Sequence, residues 1–215
     1  MFLPRNHMGP RGAESNKKAG FSLVEMMIVV AIMMIASAMA VPAVQRARRT
    51  YQLRTATVEL ATFLQRSRIT AVQNNTALPV LTNGANTQVF LDLNRNGALD
   101  VGVPNVTTEP WVPLPANITI NAAGPAAPLT AAVTGFTPQP LPVRFDGRGL
   151  PCVINAGGVC SNWVAGGPGG GTQVGFLYYL LQNIPGVGRT WAAVTVNPAG
   201  QVKTWVKNGT VWTNN

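Results

Sequence analysis

A single carboxylate, Glu25, stands inside an otherwise apolar run at residues 21–41, FSLVEMMIVVAIMMIASAMAV. An ionised side chain at the centre of a membrane segment costs about 2.5 kcal/mol or more, and such a residue usually has a partner. The position of Glu25 therefore predicts that its charge meets a counter-ion once the segment is in place.

A second group of oxygen-bearing side chains alternates along the chain and surrounds a turn-forming glycine, Gly97. Ca²⁺ takes several oxygen ligands, and a tight turn brings them round the ion. Against calcium, Val103 stands where an EF-hand would place its bidentate Glu, and Arg95 adds a positive charge inside the loop. The alternative is a β-turn whose Asx side chains bond their own backbone. The candidate ligands are Asp92, Asn94, Asn96 and Asp100.

The two cysteines, Cys152 and Cys160, enclose a short segment with glycines at its tip. This spacing favours a disulfide and therefore an oxidising compartment. The alternative is a pair of free thiols. The spacing gives a metal site little support, because the sequence has no second cysteine pair and its one histidine is His7.

The C-terminal region places cations beside aromatic side chains. In a strand over 201–206, alternate residues share a face, so Lys203 and Trp205 lie together and Lys207 follows them. Arg189 belongs to the preceding strand. Such a face could contact phosphates and stack a base, which makes these four residues candidates for DNA contact. The alternative is a solvated strand face with Trp205 or Trp212 packed under the domain.

No catalytic constellation is apparent, and we expect the protein not to be an enzyme and to need no cofactor. The acids are few and dispersed, and the glycine-rich stretch 166–171 lacks the Lys-Ser/Thr of a phosphate-binding loop. The formal net charge of +9 favours anionic partners but does not bear on the fold. Low charge content with 22 Gly and 17 Pro suits a secreted domain rich in strands and turns.

The element that carries Glu25 is long. The apolar run has roughly the ~20 residues that a helix needs to cross a bilayer. An ordinary secretory signal cut near the alanines at 36–40 is the alternative. Against it, apolar residues continue at spacings of three and four beyond Pro42, which predicts a helix to about residues 73–75 with a kink at the proline. Arginines at 46, 48, 49 and 54 then stand just outside the membrane, at headgroups or paired with acids of neighbouring subunits.

The rest of the chain predicts short strands separated by turns. The turn at 197–202 joins the last two in a hairpin with Gly200 at positive φ. We expect an α+β fold, with a long helix at 21–75 packed on an antiparallel sheet domain at 76–215. The predicted strands are 78–82, 87–92, 110–113, 117–121, 142–146, 172–178, 190–197 and 201–206.

The N-terminal region resembles the type IV pilin and pseudopilin family. The resemblance rests on Gly20 followed by FSLVE, on the lysines at 17 and 18, and on Pro42 near the far end of the apolar run. It implies that a prepilin peptidase removes residues 1–20 and that the new terminal Phe21 is methylated. It also implies the partner of Glu25, namely the terminal amine of a neighbouring subunit in a filament.

The order of four later blocks resembles the GspH/FimT branch of minor pilins and pseudopilins. The blocks are VELATFLQRSRITAVQNNTALPVLT, VFLDLNRNGALDVG, VRFDGRGLP and AVTVNPAGQVKTW, spanning residues 58 to 205. Some members bind DNA through a C-terminal Gly-Arg-x-Arg motif. The corresponding residues here are Gly200, Gln201, Val202 and Lys203, so one arginine is missing and the other is a lysine.

The resemblance implies an inner-membrane protein with one span and its C-terminal domain in the periplasm. Its implied function is that of a minor pilin of a type IV pilus, in an initiating or tip complex. The alternatives are a GspH-like minor pseudopilin of a type II secretion system and a DNA-binding pilin of DNA uptake. Implied partners are other pilin or pseudopilin subunits, the prepilin peptidase, the membrane and, for the last alternative, DNA.

Overall fold

The computed structural model describes residues 20–104, 106–136, 138–139, 142–155, 159–164, 172–184 and 188–214. Residues 1–19, with the lysines of the expected leader, lie outside this range, as does the glycine-rich stretch 166–171. The chain divides into two compact units, residues 1–46 and 47–215. We describe each unit by itself.

Helix α1 runs from Leu23 to Gln73 and includes Pro42. The proline therefore does not end the helix, in agreement with the sequence prediction. At the far end Asn75 takes a positive φ of 47°, a conformation that asparagine tolerates better than most residues. The polar residues Asn-Asn-Thr at 74–76 follow directly after the end of the helix.

In the described residues after α1 there are fourteen strands and one helical turn. They are β1 Leu78–Thr82, β2 Gln88–Leu91, β3 Trp111–Pro113, β4 Ile118–Ile120, α2 Ala131–Thr134, β5 Pro138–Gln139, β6 Val143–Phe145, β7 Pro151–Ile154, β8 Cys160–Ser161, β9 Trp163–Val164, β10 Thr172–Gln173, β11 Gly175–Ile184, β12 Gly188–Val196, β13 Val202–Asn208 and β14 Val211–Asn214. The long N-terminal helix followed by a mainly antiparallel sheet domain confirms the α+β prediction.

The strands form two larger sheets. One has the order β3-β2-β1-β6-β7-β8, and the other has the order β14-β13-β12-β11-β4. Strands β11 and β12 pair over nine residues, from Phe176 opposite Val196 to Ile184 opposite Gly188. The turn between β12 and β13 has Gly200 at a φ of 76°, as predicted.

One apolar core joins α1 to both sheets within the second unit. The helix contributes a buried stripe at spacings of three and four, which includes Leu53, Leu60 and Leu64. One face of each sheet supplies the rest, for example Val80 and Phe176. The sheets are also linked directly, because the Tyr178 hydroxyl donates to the Val80 carbonyl oxygen at 3.4 Å.

Several elements differ from the sequence prediction. Strands β5, β7, β8, β9 and β14 were not predicted, and β11 extends six residues beyond its predicted end at 178. The hairpin of β13 and β14 has a detectable sequence signal in Gly209. Asn208 pairs with Val211, so the two turn residues are 209 and 210, and Gly209 takes a φ of 61° at the first of them.

Candidate functional site

The first unit presents Glu25 in the first turn of α1, four residues after Phe21. The helix begins with a hydrogen bond from the Met26 amide to the Ser22 carbonyl oxygen at 3.1 Å. A carboxylate in a first turn is favoured by the positive end of the helix dipole. Among the described residues Glu25 has no ion pair, so its charge is free to meet a cation of another chain.

The apolar side chains around Glu25 are exposed. Phe21 is 78% exposed and Ile35 is 66% exposed, and the most apolar 18-residue window of α1 has none of its surface buried. Covering one such side chain is worth about 1.5–3 kcal/mol. A contiguous apolar surface of this size marks a membrane or protein contact.

By length and composition α1 is the one helix among the described residues that could cross a membrane, with a mean hydropathy of 2.5 over that window. Its polar groups are compatible with an apolar medium. The Ser37 hydroxyl donates to the Met33 carbonyl oxygen at 2.7 Å and so needs no outside partner.

Comparison with known proteins bears on this segment. Residues 15–41 match the family model for the prokaryotic N-terminal methylation motif. Neither the curated proteins nor the solved structures gave a match.

The motif, the exposed apolar helix and the α+β layout together support a pilin-like class of protein. The methylation motif is a type IV pilin-like prepilin signal and supports the pilin and pseudopilin family. It supports processing by prepilin peptidase and assembly with other pilins, roles that are structural and not enzymatic.

The second unit does not gather the four predicted DNA-contact residues on one open surface. Arg189 and Lys203 are exposed, but they lie at opposite ends of the paired strands β12 and β13. Lys203 and Lys207 are four residues apart on β13, which is about 13 Å at the rise of a strand. Trp205 lies between them.

Trp205 cannot stack on a base as the sequence suggested. Its ring is 7% exposed, and its indole N–H donates to the Thr195 Oγ1 at 2.9 Å. It belongs to a small apolar cluster with Leu129, Tyr179 and Ala193 on the sheet face away from α1. The burial of Trp205 agrees with the alternative interpretation, a tryptophan packed under the domain.

A segment at residues 121–136 lies over that face, and we call it the strap. The Leu129 amide donates to the Tyr179 hydroxyl oxygen at 2.8 Å, and the Trp212 indole N–H donates to the Ala127 carbonyl oxygen at 3.1 Å. The Tyr179 and Trp212 rings are 5.9 Å apart between centroids. The strap therefore covers this face of the sheet, which could have been solvated by its sequence, and forms a second core with it.

Lys203 instead meets a residue that the sequence did not single out, Arg68 of α1. Both line a cleft of about 420 Å³ with Gln65 and Gln201. The Arg68 Nη1 donates to the Gly200 carbonyl oxygen at 3.0 Å. The two cations come together only through the fold, because they are 135 residues apart in the chain.

The candidate calcium loop uses its side-chain oxygens on its own backbone. Asp92 accepts from the Asn96 and Gly97 amides at 3.2 and 2.9 Å, and Asn94 and Asn96 each donate to Asp100 Oδ2 at 2.7 Å. Within the part of the chain that the structure describes, no group of three or more His, Cys, Asp or Glu side chains could hold a metal ion. The loop has the Asx-turn geometry offered as the alternative to calcium.

Glu109 completes this network, and sequence reasoning gives it no role. It is 1% exposed and accepts from the Leu93 amide at 2.8 Å and the Asp100 amide at 3.2 Å. Those amides are sixteen and nine residues away, so no local pattern reveals the contact.

Cys152 and Cys160 form a disulfide, with their Cα atoms 5.5 Å apart. This separation lies in the ordinary range for disulfides. The bond joins β7 to β8, and Cys152 is fully buried. The glycine-bearing tip at 156–158 lies outside the described residues.

Proposed function

We propose that the protein is a minor pilin of a type IV pilus, placed in an initiating or tip complex. Residues 1–20 are its leader, and cleavage after Gly20 makes Phe21 the new terminus. Residues 21–41 anchor it once across the inner membrane and later pack in the filament, with residues 76–215 forming the periplasmic globular domain. The methylation motif at residues 15–41 supports this function.

The proposed mechanism pairs the Phe21 amine of one subunit with Glu25 of its neighbour. Each charge alone is costly in an apolar bundle, and the pair neutralises both. Because the attraction is strong only at short distance in a low dielectric, it selects one axial register. The observation that carries the proposal is the unpartnered Glu25 in the first turn of an exposed apolar helix.

The mature N-terminus tests the cleavage. We expect mass spectrometry of the protein from its native membrane to give Phe21 as the first residue. Gly20→Val should retain the full-length precursor, because a β-branched side chain then occupies the cut bond, whereas Ser22→Ala should be processed normally. A mature chain that begins after the alanines at 36–40 would make this an ordinary exported protein.

A minor pseudopilin of a type II secretion system would use the same helix and the same Glu25 pairing. The two systems differ in what a deletion strain loses. Loss of surface pili with normal secretion supports the pilus, and loss of enzyme secretion with normal pili supports the secretion system.

DNA contact is a second candidate, favoured by the cleft that Arg68 and Lys203 share. It would rest on phosphate attraction, since Trp205 is buried and the described residues that line the cleft include no aromatic ring. We expect Lys203→Ala to weaken duplex binding by residues 47–215 and to lower its salt dependence. Lys207→Ala, outside the cleft, is the matched control. Equal effects of the two changes would indicate that binding depends on the overall positive charge and not on the cleft.

A further inference from the structure

The chain contains three Asn-Gly dipeptides, which begin at Asn83, Asn96 and Asn208. An asparagine before a glycine is chemically labile, because glycine has no side chain to keep its backbone nitrogen away from the asparagine side chain. The three dipeptides are identical, so the sequence gives no order of reactivity among them. Their surroundings in the fold do differ.

Asn83 is restrained at both atoms of its side-chain amide. Its Oδ1 accepts from the Thr87 and Gln88 amides at 2.8 and 3.1 Å, and its Nδ2 donates to the Thr87 Oγ1 at 3.2 Å. The side chain can turn toward the Gly84 nitrogen only by giving up these bonds, each worth about 0.5–1.5 kcal/mol.

Asn96 is restrained as well, and so is the nitrogen that would attack it. Its Nδ2 donates to Asp100 Oδ2 at 2.7 Å, and its Oδ1 accepts from the Ala98 amide at 2.8 Å. The Gly97 amide donates to Asp92 Oδ2 at 2.9 Å. Hydrogen bonds to charged groups are worth about 1.5–3 kcal/mol, so both reacting groups are held in place.

Asn208 has no such restraint. It is exposed at the end of β13, where it pairs with Val211, and Gly209 follows it in the turn. Among the described residues neither its side-chain amide nor the Gly209 nitrogen has a hydrogen-bond partner. The last pair of a ladder also opens at lower cost than pairs within the sheet.

We propose that Asn208 is a modification site, at which the chain deamidates with water as the co-reactant. The Gly209 nitrogen attacks Cγ of Asn208, and the new N–Cγ bond closes a succinimide ring. The side-chain nitrogen leaves and takes up the amide proton, so that it departs as ammonia. Water then opens the ring at either carbonyl and gives an aspartate or an isoaspartate at residue 208.

The isoaspartate form changes the C-terminal hairpin, because its backbone passes through the side chain and is one carbon longer. The turn fixes the register of a hairpin, so the added carbon disturbs the pairing of Lys207 with Trp212. The Trp212 indole N–H donates to the Ala127 carbonyl oxygen of the strap at 3.1 Å. The modification should therefore loosen β14 and its bond to the strap.

The test incubates the full-length chain in detergent micelles at mildly alkaline pH and maps the products by mass spectrometry. Chymotrypsin cuts after Trp205 and Trp212, and the peptide between them has Asn208 as its one asparagine. Conversion there should be at least about tenfold faster than at Asn83 or Asn96, since one retained hydrogen bond of about 1.4 kcal/mol corresponds to that factor. In urea, where the fold no longer restrains any of them, the three should convert at similar rates.

Hydrogen exchange then measures the effect on the hairpin. After incubation the β14 amides should exchange faster in the wild type and unchanged in Asn208→Gln, whose longer side chain does not form the succinimide. Freshly purified Asn208→Asp carries the new charge without the longer backbone and should exchange as slowly as the unmodified wild type.

Conversion of Asn83 or Asn96 as fast as Asn208 in the folded chain would overturn the proposal, and so would the same order of rates in urea. Equal gains of exchange in the wild type and Asn208→Gln would overturn the effect on the hairpin. The reaction needs neither a membrane nor a second subunit, so these results do not depend on the proposed function.

Discussion

Buried carboxylates in the globular unit serve as acceptors for backbone amides. Asp92 accepts from two amides of its own loop, Glu109 accepts from the amides of Leu93 and Asp100, and Asp146 accepts from those of Arg148 and Leu150. A buried anion without such donors would be costly. The carboxylates thus fix irregular loops where no sheet partner is available.

The same bonds act on the acidity of Asp146. Burial raises its pKa, but hydrogen bonds from Leu150, Arg148 and Asn162 outweigh burial and hold the pKa below its ordinary value of 3.8. A carboxyl with a lowered native pKa stabilises the fold above the unfolded pKa, and this stabilisation is lost as the pH falls through the native pKa.

We therefore expect Asp146→Asn to lower the free energy of unfolding by about 1.5–3 kcal/mol at pH 7, the size of one hydrogen bond to a charged group. The difference should shrink below pH 3.8, where the unfolded wild-type carboxyl takes up a proton. Urea unfolding of residues 47–215, which hold the shared core, checks this at pH 7 and pH 2.5. Arg189→Ala is the control, since that side chain is exposed and is not among the partners of Asp146. A pH-independent difference would contradict the linkage.

At the scale of elements, the strap is the part of the fold that local pattern could not reveal. Its composition predicts a loop, and apart from the helical turn α2 it is one. Its contacts, however, join Leu129 to Tyr179 and Ala127 to Trp212, which are 50 and 85 residues apart. Because nothing near residues 121–136 specifies which face they cover, the sequence gives the burial of Trp205 only as an alternative.

Gly124 fixes the approach of the strap to the sheet. Its φ is 67°, and a Cβ at this position would overlap the Tyr179 ring. Gly124→Ala should cost about 1–2 kcal/mol for the left-handed backbone and about 1–3 kcal/mol for overpacking. Gly97→Ala is the control, because Gly97 has a φ of 78° and open space around it, so the backbone cost alone applies. If thermal unfolding showed the same loss of stability for both variants, the strap would be able to move away from the Tyr179 ring without an energetic cost.

The elements that the sequence does predict are those with a local cause. The stripe of Leu53, Leu60 and Leu64 predicts the part of α1 that packs in the core of the second unit. The apolar run at residues 21–41 predicts the first part of the helix. Gly20 and Glu25 are recognisable as candidates because contiguous residues define the motif. The position of Arg68 and Lys203 in one cleft depends on the finished fold and leaves no local signal. The same holds for the bonds of Glu109 with its amides.

At the scale of the whole molecule, the two units differ in how their apolar residues are covered. The unit from residue 47 buries its apolar residues in its own core. The described part of the first unit buries almost none, from Phe21 to Val41. Only a membrane or other helices can cover it, and the same surface suits both because lipid tails and leucine-like side chains are equally apolar. Apolar burial therefore gives little preference between membrane and filament. A polar interaction must determine which of the two the helix occupies.

Glu25 is the polar group positioned to supply that preference. We expect Glu25→Val to be cleaved normally, since the carboxylate lies five residues beyond the cut, but to enter filaments at least tenfold less. A tenfold loss corresponds to about 1.4 kcal/mol. The measurement is the mature chain in sheared filaments relative to that in membranes. Glu25→Gln separates charge from polarity: an amide can accept a hydrogen bond but cannot neutralise an amine, so it should fail nearly as badly. Ser37→Ala, a polar residue that is satisfied within the helix, should enter normally. If Glu25→Val entered filaments as well as the wild type, packing of apolar helices alone would choose the filament over the bilayer.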